Sequence, residues 1–197
     1  MADRLSLSYW IRGFQTSNML RSFEKMLRLF PASQLSGGQS TLRVSAISFR
    51  EPPVLEREFN DPLELDQLLP VLREYSAPDN GYEVMAKWDL WQYENKDWRL
   101  MPTPATLMCF GPDFEADMGE NLRIDFGLDS NFLPQPEIRG SVSLIQSNIK
   151  SLLRLVHDLD RAFPVEKRLL WTETGENFVE RLQEALEEAD LRAAENE

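Results

Sequence analysis

One cysteine and one histidine in 197 residues set the first limits. With Cys109 alone no internal disulfide forms, and metal sites built from several cysteines are excluded. Cys109 stands between Met108 and Phe110, the surroundings of a core residue. Positive charge is also scarce: 21 Lys and Arg face 33 Asp and Glu, for a formal net charge of −12. A field of that sign repels phosphate backbones, which argues against nucleic acid as a general ligand. It suits solubility, or a basic protein partner. No run of about 18 apolar residues is present, so no membrane span is expected. The start, Met1-Ala2-Asp3-Arg4, lacks a charged region followed by an apolar block, and a cytoplasmic protein is expected.

Several motifs are missing as well. Gly37-Gly38 is not followed by Gly-Lys-Ser/Thr, so the phosphate-loop pattern fails and Ser33–Ser40 reads as a flexible loop. No Gly-x-Ser-x-Gly occurs. Asp113-Phe114-Glu115-Ala116-Asp117 supplies only the first half of a calcium loop, because Gly119 falls one position late and no glutamate closes it. No metal and no cofactor is expected. Repeats and linkers are absent too, and residues 1–197 read as a single domain whose acidic end frays from about 190.

What is there is periodicity. From Ser141 to Phe163, Val142, Ile145, Ile149, Leu152, Val156, Leu159 and Phe163 recur at gaps of three and four. That spacing predicts one long amphipathic helix, with Leu144, Leu153 and Leu155 widening its stripe. This helix is expected to brace the rest of the fold.

Ahead of it, Leu5-Ser6-Leu7-Ser8-Tyr9 alternates as a half-buried strand. Met19, Leu20, Phe23, Leu27 and Phe30 form a helical stripe capped by Thr16 or Ser17 and stopped by Pro31. Leu42, Val44 and Ala46 begin a second strand that reaches Phe49. Asp61-Pro62-Leu63-Glu64 announces a helix with Asp61 as N-cap, carrying Leu65, Leu68, Leu69 and Leu72, with Pro70 in conflict inside it. Tyr82–Trp91 and Trp98–Phe110 predict two long strands joined at Glu94-Asn95-Lys96-Asp97, with Pro102 and Pro104 interrupting the ladder of the second. Leu122, Ile124, Phe126 and Leu128 alternate as another strand. Leu169-Leu170-Trp171 suggests a short edge strand, and Thr174 caps a last helix striped by Phe178, Leu182, Ala185 and Ala189, which Leu186 widens. Neighbouring strands joined by hairpins argue for an α+β fold: a mostly antiparallel sheet of about five to six strands, three to four helices mainly on one face, and a possible ferredoxin-like first half.

Two groups carry the chemistry. His157, with Asp160 and Arg161 following at helical spacing, could flank a pocket as a weak catalytic set. Trp88, Asp89, Trp91, Tyr93 and Trp98 form a dense aromatic stretch. Strand alternation places Asp89, Trp91 and Tyr93 on one face opposite Trp88, with Trp98 beside them across the hairpin. Exposed, they make a platform for a protein or sugar partner; covered, they are core. The leading expectation is a non-enzymatic binding protein that presents Asp89, Trp91, Tyr93 and Trp98 together with its acidic loops. A small-molecule protein or enzyme using His157, Asp160 and Arg161 is one alternative. A self-associating subunit, a homodimer through the last helix, is another.

Overall fold

Alternation of apolar and polar side chains puts one face of each strand in the core, and seven strands meet on that rule. The computed structural model describes residues 3–61, 64–135, 137–175 and 178–195, with the backbone alone for Leu186 and 188–195. The strands are β1 (Arg4–Ile11), β2 (Gln39–Ala46), β3 (Leu55–Asn60), β4 (Asn80–Glu94), β5 (Asp97–Phe110), β6 (Leu122–Leu128) and β7 (Val165–Thr172). They form one sheet in the order β3-β2-β4-β5-β6-β1-β7, every neighbouring pair antiparallel. Four helices accompany it: α1 (Thr16–Leu29), α2 (Leu65–Glu74), α3 (Ser141–Ala162) and α4 (Phe178–Glu195). The architecture is α+β, with seven strands where five to six are expected.

The added strand is β3. Its only buried side chain is Phe59, because it is an edge strand paired to β2 alone. The order strand–helix–strand–strand–helix–strand does run through the first half. However, β1 pairs with β6 and β7, so that half does not close a sheet of its own.

The core lies between the sheet and α1, α2 and α3. Leu5, Leu7 and Tyr9 of β1, Tyr82, Val84, Trp88 and Leu90 of β4, and Leu122, Ile124 and Phe126 of β6 face it. Trp88 is its aromatic centre, with ring centroids at 5.8 Å from Phe30, 5.6 Å from Phe126 and 6.1 Å from Phe132. α3 is the long brace the spacing predicts, but its buried line is Ile145, Asn148, Leu152, Leu155 and Leu159. Val142, Ile149 and Val156 lie at its flank, and Leu153 is 59% exposed instead of widening the stripe. Gaps of three and four fit either line, and the hydrogen bonds of Asn148 select the observed one.

Local signals are overridden at three places. α1 begins with Gln15, whose N–H donates to the Asn18 side chain at 2.9 Å, rather than with Thr16 or Ser17 as cap. α2 begins after Glu64, while Asp61 is drawn into contacts with Ser36, Ser40 and Lys87. Pro70 stays inside α2 on its exposed side, where the Asp66 carbonyl it leaves unpaired can meet water. The Thr174 hydroxyl donates to Asp3 at 2.6 Å, and the cap of α4 lies outside the described residues. Expectations that fall on Pro62, Pro136 and the side chains of Leu186 and Ala189 lie outside the described residues.

The prolines of β5 do not interrupt its ladder, which runs in register from Gly81↔Phe110 to Glu94↔Asp97. On the outer edge of β4, Lys87 O accepts from Ser33 N–H at 2.7 Å, and Asn148 occupies both backbone groups of Trp91. Backbone groups of this parity therefore point away from β5. Pro104 and Pro102, opposite Lys87 and Asp89, sit where β5 donates no N–H to β4. On its other side β5 pairs with β6 only over Thr106–Cys109.

The second face of the sheet carries a small cluster of its own. Phe49, Phe110 and Phe114 pack with centroids 4.7–5.9 Å apart. A Cβ on Gly81 would stand 2.5 Å from the Phe114 ring, so only glycine admits that ring over β4. The acidic loop after β5 is docked by it. Glu120, buried within that loop, pairs with Arg123, whose guanidinium lies 5.3 Å from the Phe110 ring and 5.6 Å from Trp171.

Candidate functional site

At the far end of the β4–β5 hairpin, Asn95 and Lys96 take φ of 52° and 66°, the left-handed pair that closes a two-residue turn in step with strand twist. The turn brings Tyr93 opposite Trp98, with ring centroids 5.3 Å apart. Trp98 Nε1 donates to Arg139 O at 3.0 Å, which fixes the indole against the segment leading into α3. Trp91 is held from the other side, through its backbone, by Asn148. Around these rings the surface is apolar: Tyr93 is 39%, Leu100 41% and Leu128 50% exposed. A groove of about 230 Å³ opens beside them, lined by Trp91, Tyr93, Trp98, Leu128, Asn131 and Gln135 among others. Large rings held by hydrogen bonds, with amides between them, are the materials of a recognition surface.

The structure divides the expected set. Trp91, Tyr93 and Trp98 come together at the hairpin end, whereas Trp88 is core at 3% exposure. Asp89 does not join them as a free carboxylate. It accepts from Ser33 Oγ, and from Gln34 N–H at 2.8 Å.

The second expected set lies along the flank of α3. His157 and Arg161 are exposed on α3. Asp160 is half-buried, accepts from the Tyr9 hydroxyl at 3.2 Å and pairs with Arg168. Burial pushes the Tyr9 phenol up to about 12, with Arg168 pulling the other way. Asp160 thus ties β1 to α3 and β7.

A polar cluster that the sequence does not announce lies at the edge of β4. The Asp61 carboxylate accepts from Ser36 Oγ at 2.5 Å, from Ser40 Oγ, and from Lys87 Nζ at 3.2 Å. Lys87 Nζ also donates to Ser36 Oγ at 3.0 Å. Burial works against the charge on Asp61, but the hydrogen bonds from Ser36, Ser40 and Lys87 outweigh it and hold the carboxyl below its usual range. A Cβ on Gly38 would meet Lys87 Nζ at 2.6 Å, so this glycine lets the loop close over the lysine. A serine beside a lysine invites a nucleophile–base reading. The lysine amine, however, is engaged by the Asp61 carboxylate at 3.2 Å as well as by Ser36. The cluster therefore acts as a staple that orders Ser33–Ser40, which is not the flexible loop its glycines suggest.

At the opposite end of the sheet, Ile47 has φ of 69° with its side chain 52% exposed. Its N–H donates to Asp79 O and its carbonyl accepts from Glu115 N–H, both at 2.7 Å. A β-branched residue in this region costs roughly 1–2 kcal/mol. Composition and periodicity carry no sign of it.

Among the described residues, no three His, Cys, Asp or Glu side chains converge where a metal ion could sit. Among the same residues, no buried side-chain nitrogen or oxygen lacks a hydrogen-bond partner. No helix among them is long and apolar enough to cross a membrane. No family model matches the chain, and no curated protein or solved structure matches it either.

Proposed function

We propose that this protein is a non-enzymatic binding module and that it receives a protein partner on the hairpin-end platform of Trp91, Tyr93 and Trp98. The observation that carries the reading is the pairing of exposure with rigidity. Tyr93 packs at a tilt on Trp98, whose indole is tethered, yet both border a groove and are flanked by exposed Leu100 and Leu128. Aromatic side chains already held in place lose little freedom on binding, which is what anchor residues need. The net charge of −12 favours a basic partner through long-range attraction. The acidic loops supply part of that field, and Asp89 contributes by ordering residues 33–34 rather than by touching the partner.

The test is a photo-crosslinking series with the probe placed at Tyr93, at Leu100 and, as control, at exposed Leu153 of α3. A partner trapped from Tyr93 and Leu100 but not from Leu153 is expected. Its capture should be lost in Tyr93→Ala, with the fold intact by circular dichroism. Equal trapping from all three positions, or capture indifferent to Tyr93→Ala, would overturn the reading.

A further inference from the structure

We infer that the end of the sheet opposite the hairpin is a second docking surface, and that it takes a basic protein segment bearing one apolar anchor residue. Gly81 and Tyr93 mark the two ends on β4, roughly 40 Å apart at about 3.3 Å per residue. The inference stands independently of the hairpin platform.

Three observations meet at this end. First, a groove of about 280 Å³ runs between the β2–β3 connection and the acidic loop, lined by Phe49, Phe110, Ala116, Arg50, Glu115 and Asp117 among others. Phe49 and Phe110 belong to the small aromatic cluster outside the main core, and Phe49 gives this largely polar groove one aromatic wall. Second, apolar side chains next in the chain to its lining stand in solvent: Ile47 at 52%, beside Ser48 and bonded through its carbonyl to Glu115 N–H, and Met118 at 39%, beside Asp117. Ile47 combines two liabilities, since its backbone is strained and its side chain exposed. Glycine would remove both at once. Third, acidic residues predominate at this end. Glu51, Asp113, Glu115 and Asp117 are exposed, set against Arg50 in the groove lining and Arg123, which pairs with Asp117 at 3.5 Å. A single aromatic wall with carboxylates around it matches a hydrophobic side chain flanked by lysines or arginines.

The residues are also held in place. Ile47 is pinned by backbone bonds to Asp79 and Glu115. Phe114, seated over Gly81, fixes the loop that carries the carboxylates. The surface is preformed, and binding needs little reordering.

The experiment titrates the isotope-labelled full chain with three synthetic peptides, followed by backbone amide shifts. One is lysine-rich with a central leucine, one is the same with serine for leucine, and one is glutamate-rich with the leucine kept. The expected result is that the first alone shifts Ile47, Phe49, Glu115 and Ala116 and leaves Tyr93 and Trp98 unmoved. Glu115→Gln with Asp117→Asn should weaken it roughly fivefold at low salt, and added salt should do the same. Ile47→Gly should raise the melting temperature while weakening the peptide, a combination that a purely structural role for Ile47 does not produce. Equal binding by the serine peptide, shifts centred elsewhere, or no binding of the first peptide would overturn the proposal. Each of those results leaves the crosslinking test of the hairpin platform untouched.

Discussion

Asn148 on α3 grips Trp91 on β4 as a neighbouring strand would: Oδ1 accepts from the Trp91 N–H and Nδ2 donates to the Trp91 carbonyl, both at 2.9 Å. The same Nδ2 donates to Asn131 O at 2.8 Å. One buried side chain thereby satisfies three backbone groups at the edge where β2 has already ended. Replacing it by alanine strands those groups where they are only partly open to water. Asn148→Ala should cost about 2–4 kcal/mol in denaturant unfolding. Faster hydrogen exchange at the Trp91 amide would locate the loss. Exchange there at the wild-type rate would show that the clamp does not hold the strand.

Acid should weaken the fold in a defined window. Hydrogen bonds from the Thr174 side chain and backbone, and from Arg4 N–H, hold the Asp3 carboxyl down at about 2. Asp61 is lowered too, its serine and lysine bonds outweighing burial. Both groups release their protons more readily folded than unfolded. The stability they add is therefore complete above about pH 4 and is lost as pH falls through their folded values. Carbon-detected titration of Asp3 should give a midpoint near 2. A midpoint near 4 would refute the Thr174 tether.

Glu83 has the opposite sign. Burial raises its carboxyl, with the Arg43 charge only partly offsetting it. It holds its proton more tightly when folded, so it weakens the fold as pH rises past the usual carboxylate range. Glu83→Gln should raise the melting temperature at pH 7 and leave it nearly unchanged in acid, as measured by calorimetry at both pH values.

Two glycines should fail to different degrees. A Cβ on Gly111 would meet the Pro78 carbonyl oxygen at 2.2 Å, a backbone atom that cannot swing away. On Gly81 the obstacle is the Phe114 ring at 2.5 Å, a side chain able to leave. Gly111→Ala should destabilise the whole sheet end. Gly81→Ala should chiefly release the acidic loop, seen as faster proteolysis within 111–121 at a smaller loss of global stability.

How much of the structure is legible in the sequence depends on which force decides each element. Tyr82 to Leu90 alternates cleanly because one face of β4 meets the core along its length. β3 escapes the same reading because an edge strand with one buried residue has no apolar period to show. α3 is visible as a helix, but its rotation is not. Counting hydrophobic residues cannot anticipate that a polar Asn148 lies on the buried line. Around Asp61 the local letters match a helix cap, and partners 21 to 26 residues away win instead. For the platform, alternation places Trp91, Tyr93 and Trp98 on one face. The removal of Asp89 from it rests on Ser33 and Gln34, more than 50 residues earlier. Ile47 could not be found from sequence, because a positive φ at isoleucine contradicts the preference of that residue.

The sheet order has a consequence for the time at which the molecule becomes whole. β1 lies between β6 and β7, and its partners end at Thr172. During synthesis β1 waits with both edges bare until β6 has followed it to Leu128, and with one edge bare until β7 is complete at Thr172. Leu5, Leu7 and Tyr9 remain open to chance encounters throughout that delay. Folding is therefore expected to be slow and late, and a helper that shields the nascent amino-terminal segment should improve yield more than one that acts on the finished chain.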